Sequence, residues 1–512
     1  MQLVVTHEQN NRNESAKGEM MPQKVKIAPV ANTKKHGLRP AQKLERTTFI
    51  TSRVMDFFSE RELVTQTGHG RHEWPLVFVK EMMDNALDAC DEAAVPPVVE
   101  ITCDPSGITV ADNGPGLPES TLIRQMDFGV RASNREAYVA PTRGAQGNAL
   151  KTILPMPSVV DPNGGRLIVA AHGKRHTIRC RADQISQQPV IEDDVQQSDT
   201  NGTLVRIEWM PRLDNGAAAW PFAGWLFDPD DSDTGFDGLR LARRFKTLIA
   251  GFALFNPHAT IRLNWFGTLT EYLATDTTFG KWLPCQPTSP HWYEQRHIER
   301  LIGAYITHDK ATGRDRLVSE FIAEFDGLTG SLKRSKVLDA CSMKRVRLAD
   351  LVANGRFDSG RIAEVLAAMR AQTRPVKAKR LGVIGRDHFY QLFTGMGCIA
   401  DSFEYRKATA QDGMPYVIET AFAHRDKEDD DHNRSNRLIF TGVNWSSAIN
   451  NPWRSFGNIG EGLESILAKN FISGNEPILL AVHLAHPRVE YTDRGKSAMV
   501  LSDEPKQEGD DE

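Results

Sequence analysis

The sequence lacks the long apolar segments and the cysteine patterns that mark several large classes of protein. No apolar run approaches the ~20 residues that span a membrane, and the N-terminus has no secretory hydrophobic region. No C-x-x-C pair occurs among the six cysteines, which are Cys90, Cys103, Cys180, Cys285, Cys341 and Cys398. We therefore expect buried thiols in a reducing compartment, with neither a zinc site nor a disulfide framework. The expected location is cytoplasmic, or nucleoid-associated if the source is bacterial or archaeal.

The chain also has little net charge. It contains 62 Lys and Arg against 66 Asp and Glu, for a net charge of −4. This balance argues against a chain that coats nucleic acid non-specifically, so any DNA contact would need a local basic patch. A hydrophobic content of 40% and 512 residues allow two to four domains with large cores.

The most informative stretch begins with VFVKEMMDNALDAC, residues 77–90. Helical spacing puts one broad apolar face on this segment, formed by Val79, Met82, Met83, Ala86, Leu87 and Cys90. The opposite side carries a polar stripe of Glu81, Asp84, Asn85 and Asp88. Such a stripe is often only a solvated face, but a solvated face usually includes a cation and this stripe has none. The pattern suits a site where Asn85 supplies a neutral oxygen to Mg²⁺ and Glu81 activates water.

A hairpin and a glycine-containing turn follow. Residues 98–103 and 108–110 predict two antiparallel strands, closed by the turn at 104–107. The next residues are Asp112-Asn113-Gly114-Pro115-Gly116, and Asn-Gly alone is an ordinary turn signal. In the functional interpretation Asp112 accepts the exocyclic amine of a purine, while Gly114 and Gly116 let the backbone approach the ring.

The third element is PTRGAQGNALKT, residues 141–152. Gly144 and Gly147 either mark a flexible loop or allow a phosphate to approach the backbone. The segment precedes an apolar run, as a loop leading into a helix N-terminus does, and free N–H groups bind phosphate there. Each of the three signals is weak alone, but their order along the chain is specific.

The three motifs together carry a family resemblance. Glu81-x-x-x-Asn85, Asp112-x-Gly114-x-Gly116 and Arg143-Gly144-x-x-Gly147 resemble the nucleotide-binding core of the GHKL ATPases, of gyrase, Hsp90, histidine kinase and MutL types. Within that superfamily, residues 80–97, 128–136 and 143–151 are similar to the B subunit of DNA topoisomerase VI. One departure is Ala149 at the position of the last lid glycine, which costs about 1 kcal/mol if the backbone there needs a positive φ.

The resemblance implies a Mg²⁺-dependent ATPase with ATP and Mg²⁺ bound at these motifs. Glu81 would be the general base, Asn85 the Mg²⁺ ligand and Asp112 the adenine ligand. The other positions implied to contact nucleotide are Asp84, Asp88, Gly114, Gly116, Arg143, Gly144, Gln146, Gly147, Asn148 and Lys151. Residues 482–498 resemble the segment that contains the family's switch lysine. Taken alone, Lys496 would be a typical surface residue. The resemblance implies instead that it reaches the γ-phosphate from another domain.

The resemblance covers residues 47–500 and implies the domain organisation. An α/β fold, the α+β sandwich of GHKL or Bergerat type, is expected over 46–285. A small helical domain like the helix-two-turns-helix domain follows over 286–374, and an α/β transducer-like domain over 375–500. Residues 1–45 are predicted to be a disordered tail, with a strap to a second subunit as the alternative, and 501–512 an acidic tail.

Periodicity predicts the elements of these domains. A helix over 239–255 is expected to break at Asn256-Pro257 before a strand, and the acidic segment 228–238 is expected to be a loop. Helices are also predicted over 289–305, 314–325, 359–372 and 461–471. Further strands are predicted in 166–180, 202–210, 380–385, 413–425, 436–445 and 477–492.

A basic stretch lies between residues 333 and 380. Its ten cations are Lys333, Arg334, Lys336, Lys344, Arg345, Arg347, Arg374, Lys377, Lys379 and Arg380. Such a run is usually only a solvated face, but on a chain of net negative charge contact with phosphate is an equal alternative. No aromatic residues that would stack on bases are interleaved, so sequence-specific recognition is not expected.

Two hypotheses of function stay open. In the first, the chain is the ATP-hydrolysing subunit of a topoisomerase VI-like complex, whose ATP-dependent homodimer clamps double-stranded DNA. A separate A-type subunit would cleave the DNA, since this chain has no recognisable cleavage residues. In the second, the chain is an orphan GHKL clamp or scaffold, MutL- or MORC-like, in repair, recombination or mobile-element defence without strand passage. Only 16 residues follow Lys496, so the element that docks on an A subunit is expected to be shortened, absent or replaced; no membrane partner is expected.

Overall fold

The structure is a computed structural model. The residues it describes are 53–128, 137–143, 149–183, 185–186, 188–209, 235–410, 414–426, 437–454, 462–474, 476–492 and 498–500. The two predicted tails, 1–45 and 501–512, therefore lie outside the described residues. No helix in the described ranges is both long enough and apolar enough to cross a membrane.

The described chain begins with helices that lead into the polar stripe. A 3-10 helix, Arg53–Phe58, precedes helix α1, Glu60–Thr67. Ser59 caps α1 by accepting a hydrogen bond from the Glu62 N–H at 3.2 Å, as polar N-cap residues commonly do. After a short 3-10 turn, helix α2 spans Trp74–Glu92. All six residues of its predicted apolar face are buried, so that prediction is confirmed.

An eight-stranded sheet forms the first half of the chain. Its strands are β1 Val98–Asp104, β2 Gly107–Asp112, β3 Arg166–Ala171, β4 Lys174–Asp183, β5 Gln188–Gln197, β6 Thr203–Glu208, β7 Thr260–Trp265 and β8 Thr268–Tyr272. The strand order is β5-β4-β3-β6-β2-β1-β7-β8. Strands β1 and β2 form the predicted hairpin, with Asp104 opposite Gly107. Strands β1 and β7 are parallel, so the sheet is mixed and the predicted α/β class is confirmed.

Helices connect these strands and supply the core. They are α3 Glu119–Met126, α4 Ala149–Ile153, α5 Met156–Val160 and α6 Gly235–Phe255. Helices α2 and α6 pack against the sheet, and their apolar residues share one core with the strands. The break at Asn256-Pro257 before β7 is confirmed. The predicted acidic loop 228–238 is wrong at its end, because α6 begins at Gly235; residues 228–234 lie outside the described residues.

The middle of the described chain is helical. Its helices are α7 Gln295–Thr312, α8 Val318–Ile322, α9 Ser331–Ala340 and α10 Ser359–Gln372. Short strands β9, Val352–Ala353, and β10, Arg356–Phe357, pair before α10. Helix α9 was not among the predicted helices. Its surface is mostly polar, and few of its residues are buried, so periodicity gave little signal.

A second sheet completes the chain. Helix α11, Arg386–Gly395, precedes five strands, and helix α12, Leu463–Lys469, precedes the last of them. The strands are β11 Glu404–Ala410, β12 Tyr416–His424, β13 Leu438–Val443, β14 Ser446–Ser447 and β15 Ile478–Ala485. Their order is β11-β12-β15-β13-β14, with β13 and β15 parallel. The predicted strand at 380–385 is wrong. Residues 378–381 form a 3-10 helix, and Gly382 and Gly385 have φ values of 122° and 94°, which no regular strand adopts.

One hydrophobic core joins the helical region to the second sheet. It contains Leu254 and Phe255 from the end of α6, Ile302 from α7 and Phe440 from β13. Residues on both sides of the predicted boundary at 374/375 are therefore packed together, while the three-way division itself stays a prediction. The cysteine prediction is wrong in part: Cys90, Cys103 and Cys180 are buried, but Cys285 is exposed and Cys341 and Cys398 are half-buried.

Candidate functional site

The polar stripe of α2 is divided into two pairs with different environments. Asn85 is exposed and the Glu81 side chain is 27% exposed, whereas Asp84 and Asp88 are only 4% and 3% exposed. The stripe itself contains no cation. Buried carboxylates need partners because desolvation is costly, and both find cations that are outside the stripe.

Asp84 is paired within α2 and with the second sheet. Lys80 Nζ lies 2.9 Å from Asp84 Oδ2 and 3.6 Å from Glu81 Oε1. The Ser446 hydroxyl, on β14, donates to Asp84 Oδ2 at 2.8 Å. Burial lowers the pKa of Lys80, but Asp84 and Glu81 outweigh burial and the pKa is raised. Lys80 is therefore a charged lysine that holds the two carboxylates beside it.

Arg143 is buried between α2 and the rest of the molecule. Its Nη1 lies 2.5 Å from Asp88 Oδ1 and 2.8 Å from Asp91 Oδ2, and its side chain is fully shielded from solvent. Burial lowers the pKa of Arg143, but Asp91 and Asp88 outweigh burial and the pKa is raised. Asp91 also accepts from His258 at 2.7 Å and from Lys281 Nζ at 2.8 Å. Burial raises the pKa of Asp91, but the charge of Arg143, the hydrogen bond from His258 and the charge of Lys281 hold it well below its usual range.

The same arginine contacts the second sheet. Arg143 Nη2 donates to the Asn256 side-chain oxygen, and Arg143 Nε donates to the Trp445 carbonyl at 3.5 Å. Asn256 Nδ2 donates to that carbonyl at 2.9 Å. Trp445 has a φ of 64°, a left-handed conformation that is costly for a bulky residue. Its N–H donates to the buried His483 Nε2 at 3.0 Å, which helps to hold that conformation.

Asp112 lies where β2 ends beside the start of β6. Its Oδ1 accepts from the Gly114 N–H at 2.8 Å and the Thr203 N–H at 3.2 Å. Burial raises the pKa of Asp112, with these two N–H groups opposing the rise. A Cβ on Gly114 would lie 3.1 Å from Cys90 Sγ, so this loop lies against the last turn of α2. Asn113 holds the loop by donating to the Pro96 carbonyl at 3.0 Å and accepting from the Val98 N–H at 2.8 Å.

Glycine is required at Gly116. Its φ is 87°, and a Cβ there would lie 2.9 Å from His172 Nε2. Gly202, next to Thr203, has a φ of 75°, and its Cβ would collide with the Asp112 carbonyl oxygen at 1.9 Å. The glycines thus allow the strand ends around Asp112 to approach each other.

Lys151 is buried, at 1% exposure, and its Nζ donates to the Asp127 carbonyl at 2.6 Å. Burial lowers its pKa. Ala149 is the first residue of helix α4, and the cost of the missing glycine there stays a prediction. Gly144, Gln146, Gly147, Asn148 and Lys496 lie outside the described residues, and their predicted roles stay predictions.

The two ends of the segment that contains Lys496 are described. Thr492 N–H donates to the Ala498 carbonyl at 3.0 Å, and Val500 N–H donates to the Glu490 carbonyl at 2.8 Å. Burial raises the pKa of Tyr491 to about 12, and Lys80 and Asp84 are near enough to act on it in opposite directions. The described residues at the two ends of the segment are therefore hydrogen-bonded to each other, and one of them, Tyr491, is close enough to α2 to interact with its charges.

The structure thus brings Glu81, Asn85 and the Asp112 loop onto connected elements. Sequence reasoning missed the residues that support them from a distance, above all Thr203, Lys281, Trp445, Ser446 and Tyr491. Gly202-Thr203 carried a signal, because a glycine before a strand indicates a close approach of the backbone. No local pattern marks Lys281 or Trp445. No group of three or more His, Cys, Asp or Glu side chains in the described ranges is arranged to hold a metal ion.

Comparison with known proteins gives a partial match. No family model matches the chain. The chain is 30% identical over 124 residues to the B subunit of type 2 DNA topoisomerase 6 from Thermococcus kodakarensis, covering 23% of this chain and 21% of the relative. The same protein of Thermococcus gammatolerans is 29% identical over 124 residues, and that of Pyrococcus abyssi 26% identical over 133 residues. The chain thus matches about a fifth of the length of these relatives.

Two solved structures are distantly similar to the chain. One is the N-terminal domain of a DNA repair protein, with a TM-score of 0.34, 11% identity and coverage of 83% of this chain and 87% of that one. The other is the MutL ATPase domain of Aquifex aeolicus complexed with ADP, with a TM-score of 0.28, 12% identity and coverage of 79% and 89%. The homology in sequence confirms the resemblance to the GHKL-type ATPases and, within them, to the topoisomerase 6 B subunit, at low identity.

Proposed function

We propose that this chain binds and hydrolyses ATP and is the ATPase subunit of a topoisomerase 6-like complex. The observation that supports this best is the position of α2 between two parts of the molecule. One side of α2 presents Glu81 and Asn85, while Asp84 and Asp88 on its buried side contact Ser446 directly and Trp445 through Arg143. A helix placed in this way can transmit a change at the nucleotide to the second sheet.

The roles follow from the chemistry of the side chains. Asp112 accepts the exocyclic amine of adenine, and Gly114 and Gly116 let the backbone approach the ring. Asn85 is exposed and offers a neutral oxygen to Mg²⁺, which usually takes one or two protein ligands and completes its shell with phosphate oxygens and water. The absence of a dense acidic cluster in the described chain therefore fits such a site. When bound, the ion neutralises phosphate charge; Glu81 orients the attacking water and accepts its proton.

Lys496 completes the site in this proposal. Tyr491, on one side of its segment, is near enough to Lys80 and Asp84 on α2 for their charges to act on its pKa, and Thr492 is hydrogen-bonded to Ala498 on the other side. A lysine that reaches the γ-phosphate from there stabilises the charge that develops during transfer. Because its engagement depends on the γ-phosphate, hydrolysis changes the contact between α2 and the second sheet. We infer that this change is a rigid-body rotation between two states.

In the cell this rotation would open and close a clamp on double-stranded DNA. The names of the relatives support a DNA-directed role, with an ATP-dependent homodimer holding a duplex while a separate A-type subunit cuts another. Strand passage needs the A-type subunit, whereas a clamp that does not cleave DNA does not need it. Relaxation of supercoiled DNA that requires both proteins and ATP supports strand passage, whereas ATP-dependent retention on closed circular DNA without relaxation supports the clamp.

Substitution of Asn85 tests nucleotide binding. Asn85→Ala removes the proposed Mg²⁺ ligand without disturbing the core, because the side chain is exposed. We expect the rise in melting temperature caused by Mg-ATP to disappear in this variant. Glu81→Gln should keep that rise and lose hydrolysis. Asn470→Ala, on the exposed end of α12, is the control. An unchanged melting shift in Asn85→Ala would contradict the assignment.

A further inference from the structure

A cleft of about 260 Å³ lies between helix α6 and strands β13 and β14. None of the predicted nucleotide-site residues that the structure describes lines it. Its lining includes three arginines, Arg243 and Arg244 from α6 and Arg437 beside β13, together with one carboxylate, Glu464. The described lining therefore has more cationic than anionic side chains, although the whole chain has a net negative charge.

Two hydroxyl groups in this cleft have no partner among the described residues. Thr441 and Ser447 are 5% and 2% exposed, and both line the cleft. Neither side chain forms a hydrogen bond with another described residue. Because both side chains line the cleft, a water, an ion or a ligand bound there can be their hydrogen-bond partner. A hydroxyl pair beside arginines matches the donors that bind oxyanions.

The carboxylate that pairs with Arg437 can be displaced. Glu464 receives two hydrogen bonds from Arg437 Nη2, at 3.1 and 2.9 Å, but its own side chain is 60% exposed. Exposed ion pairs contribute little free energy because solvent screens them. A phosphate bound between the arginines would replace this carboxylate and also accept from Thr441 and Ser447.

We propose that this cleft binds a small phosphate-bearing ligand. Arginine binds phosphate through parallel N–H groups, and the hydroxyl groups of Thr441 and Ser447 supply the remaining donors. A nucleic-acid backbone offers the same chemistry, but the cleft volume of about 260 Å³ and the low exposure of Thr441 and Ser447 favour a small ligand.

The cleft is also joined to the nucleotide site. Ser447 lines the cleft and the preceding residue, Ser446, donates to Asp84 on α2. Arg244 in the cleft pairs with Glu73, the residue directly before α2. A ligand bound in the cleft therefore acts on α2 at two places: at Asp84 through Ser446, and at the start of the helix through Arg244 and Glu73. This effect rests on the proposed ATPase function, whereas phosphate binding itself does not.

Calorimetric titration of the full chain with inorganic phosphate tests the site. We expect binding in the wild type, with affinity reduced about tenfold or more in Arg437→Gln and in Thr441→Val, because each loses a charged hydrogen bond. Arg406→Gln and Thr409→Val, exposed on β11, are matched controls that keep the affinity. Circular dichroism of each variant shows whether it is folded, and Ser447→Ala provides a second hydroxyl variant if Thr441→Val is not.

Asn85→Ala separates this site from the nucleotide site. Phosphate binding that survives Asn85→Ala and is lost in Arg437→Gln supports the cleft. Binding lost in Asn85→Ala and unchanged in Arg437→Gln would place the phosphate at the nucleotide motifs and overturn the proposal. An absence of binding at millimolar phosphate would also overturn it, whatever the ATPase measurements give. Binding of a DNA duplex that is lost in Arg437→Gln, without phosphate binding, would assign the cleft to nucleic acid instead.

Discussion

Glu73 connects the start of α2 to both neighbouring elements. Its carboxylate pairs with His69 at 3.0 Å and with Arg244 at 2.5 Å. The hydrogen bond from His69 lowers the pKa of Glu73 most, burial opposes it, and the contacts with Arg244 lower the pKa further. Together they bring the pKa from 4.5 to about 2. A carboxyl group whose pKa is lowered by folding stabilises the folded state above its unfolded pKa and loses that contribution as pH falls toward its folded pKa.

Glu73→Gln should therefore show a pH-dependent loss of stability. We expect the free energy of unfolding at pH 7 to fall by roughly 2 kcal/mol, with the difference from wild type shrinking between pH 4.5 and pH 2. Urea unfolding at several pH values measures it. Glu404→Gln, in an exposed pair with Arg406, is the control. A difference of the same size at pH 7 and pH 3 would contradict the assigned ion pairs.

Among secondary-structure elements, the contact of α2 with β14 couples the two sheets. Ser446 and Asp84 are 362 residues apart in sequence, yet their side chains form a buried hydrogen bond of 2.8 Å. A double-mutant cycle with Ser446→Ala and Asp84→Asn measures their coupling. We expect about 1.5–3 kcal/mol in unfolding free energy, as for a hydrogen bond to a charged group.

The chain offers a matched control for this cycle. Ser335 donates to Asp339 at 3.3 Å on the exposed side of α9, so the same cycle there should give less than about 0.5 kcal/mol. Equal coupling in the two pairs would show that the α2–β14 contact has no special role.

Elements that depend on local pattern were predictable from the sequence, and contacts between distant segments were not. The apolar face of α2 and the hairpin 98–112 follow from period and turn chemistry alone. Asp84 and Asp88 are buried because Ser446 and Arg143, from distant parts of the chain, pair with them. The helical period puts all four residues of the stripe on one face, so it could not show that Asp84 and Asp88 differ from Glu81 and Asn85. Strand β11 was missed because most of its residues are exposed and three of its seven are charged, as is common in edge strands.

For the whole molecule, the basic stretch 333–380 is the proposed contact with DNA. Three of its ten cations are paired with carboxylates: Lys344 with Asp339, Arg347 with Asp315 and Arg380 with Asp326. Among the described residues the other seven form no ion pair, and all but Arg334 are exposed. A surface of this kind attracts phosphate without reading sequence.

Replacing Lys333, Lys336 and Lys379 by Gln should weaken DNA binding for all sequences alike. The slope of log affinity against log salt should fall by roughly 0.9 for each phosphate that the protein no longer neutralises. Fluorescence anisotropy with two unrelated duplexes at several salt concentrations measures this. Substitutions at exposed lysines elsewhere, such as Lys310 and Lys407, are the control, and an equal loss of affinity there would contradict a localised DNA surface.

The central claim is that one part of the chain holds the triphosphate and a cation from a distant part completes the site. Turnover of ATP by Lys496→Ala tests it most directly, with Lys407→Ala as the control and the nucleotide-dependent melting shift as the measure of binding. We predict that Lys496→Ala keeps the shift while kcat falls about a hundredfold or more. A kcat equal to that of the control would contradict the claim.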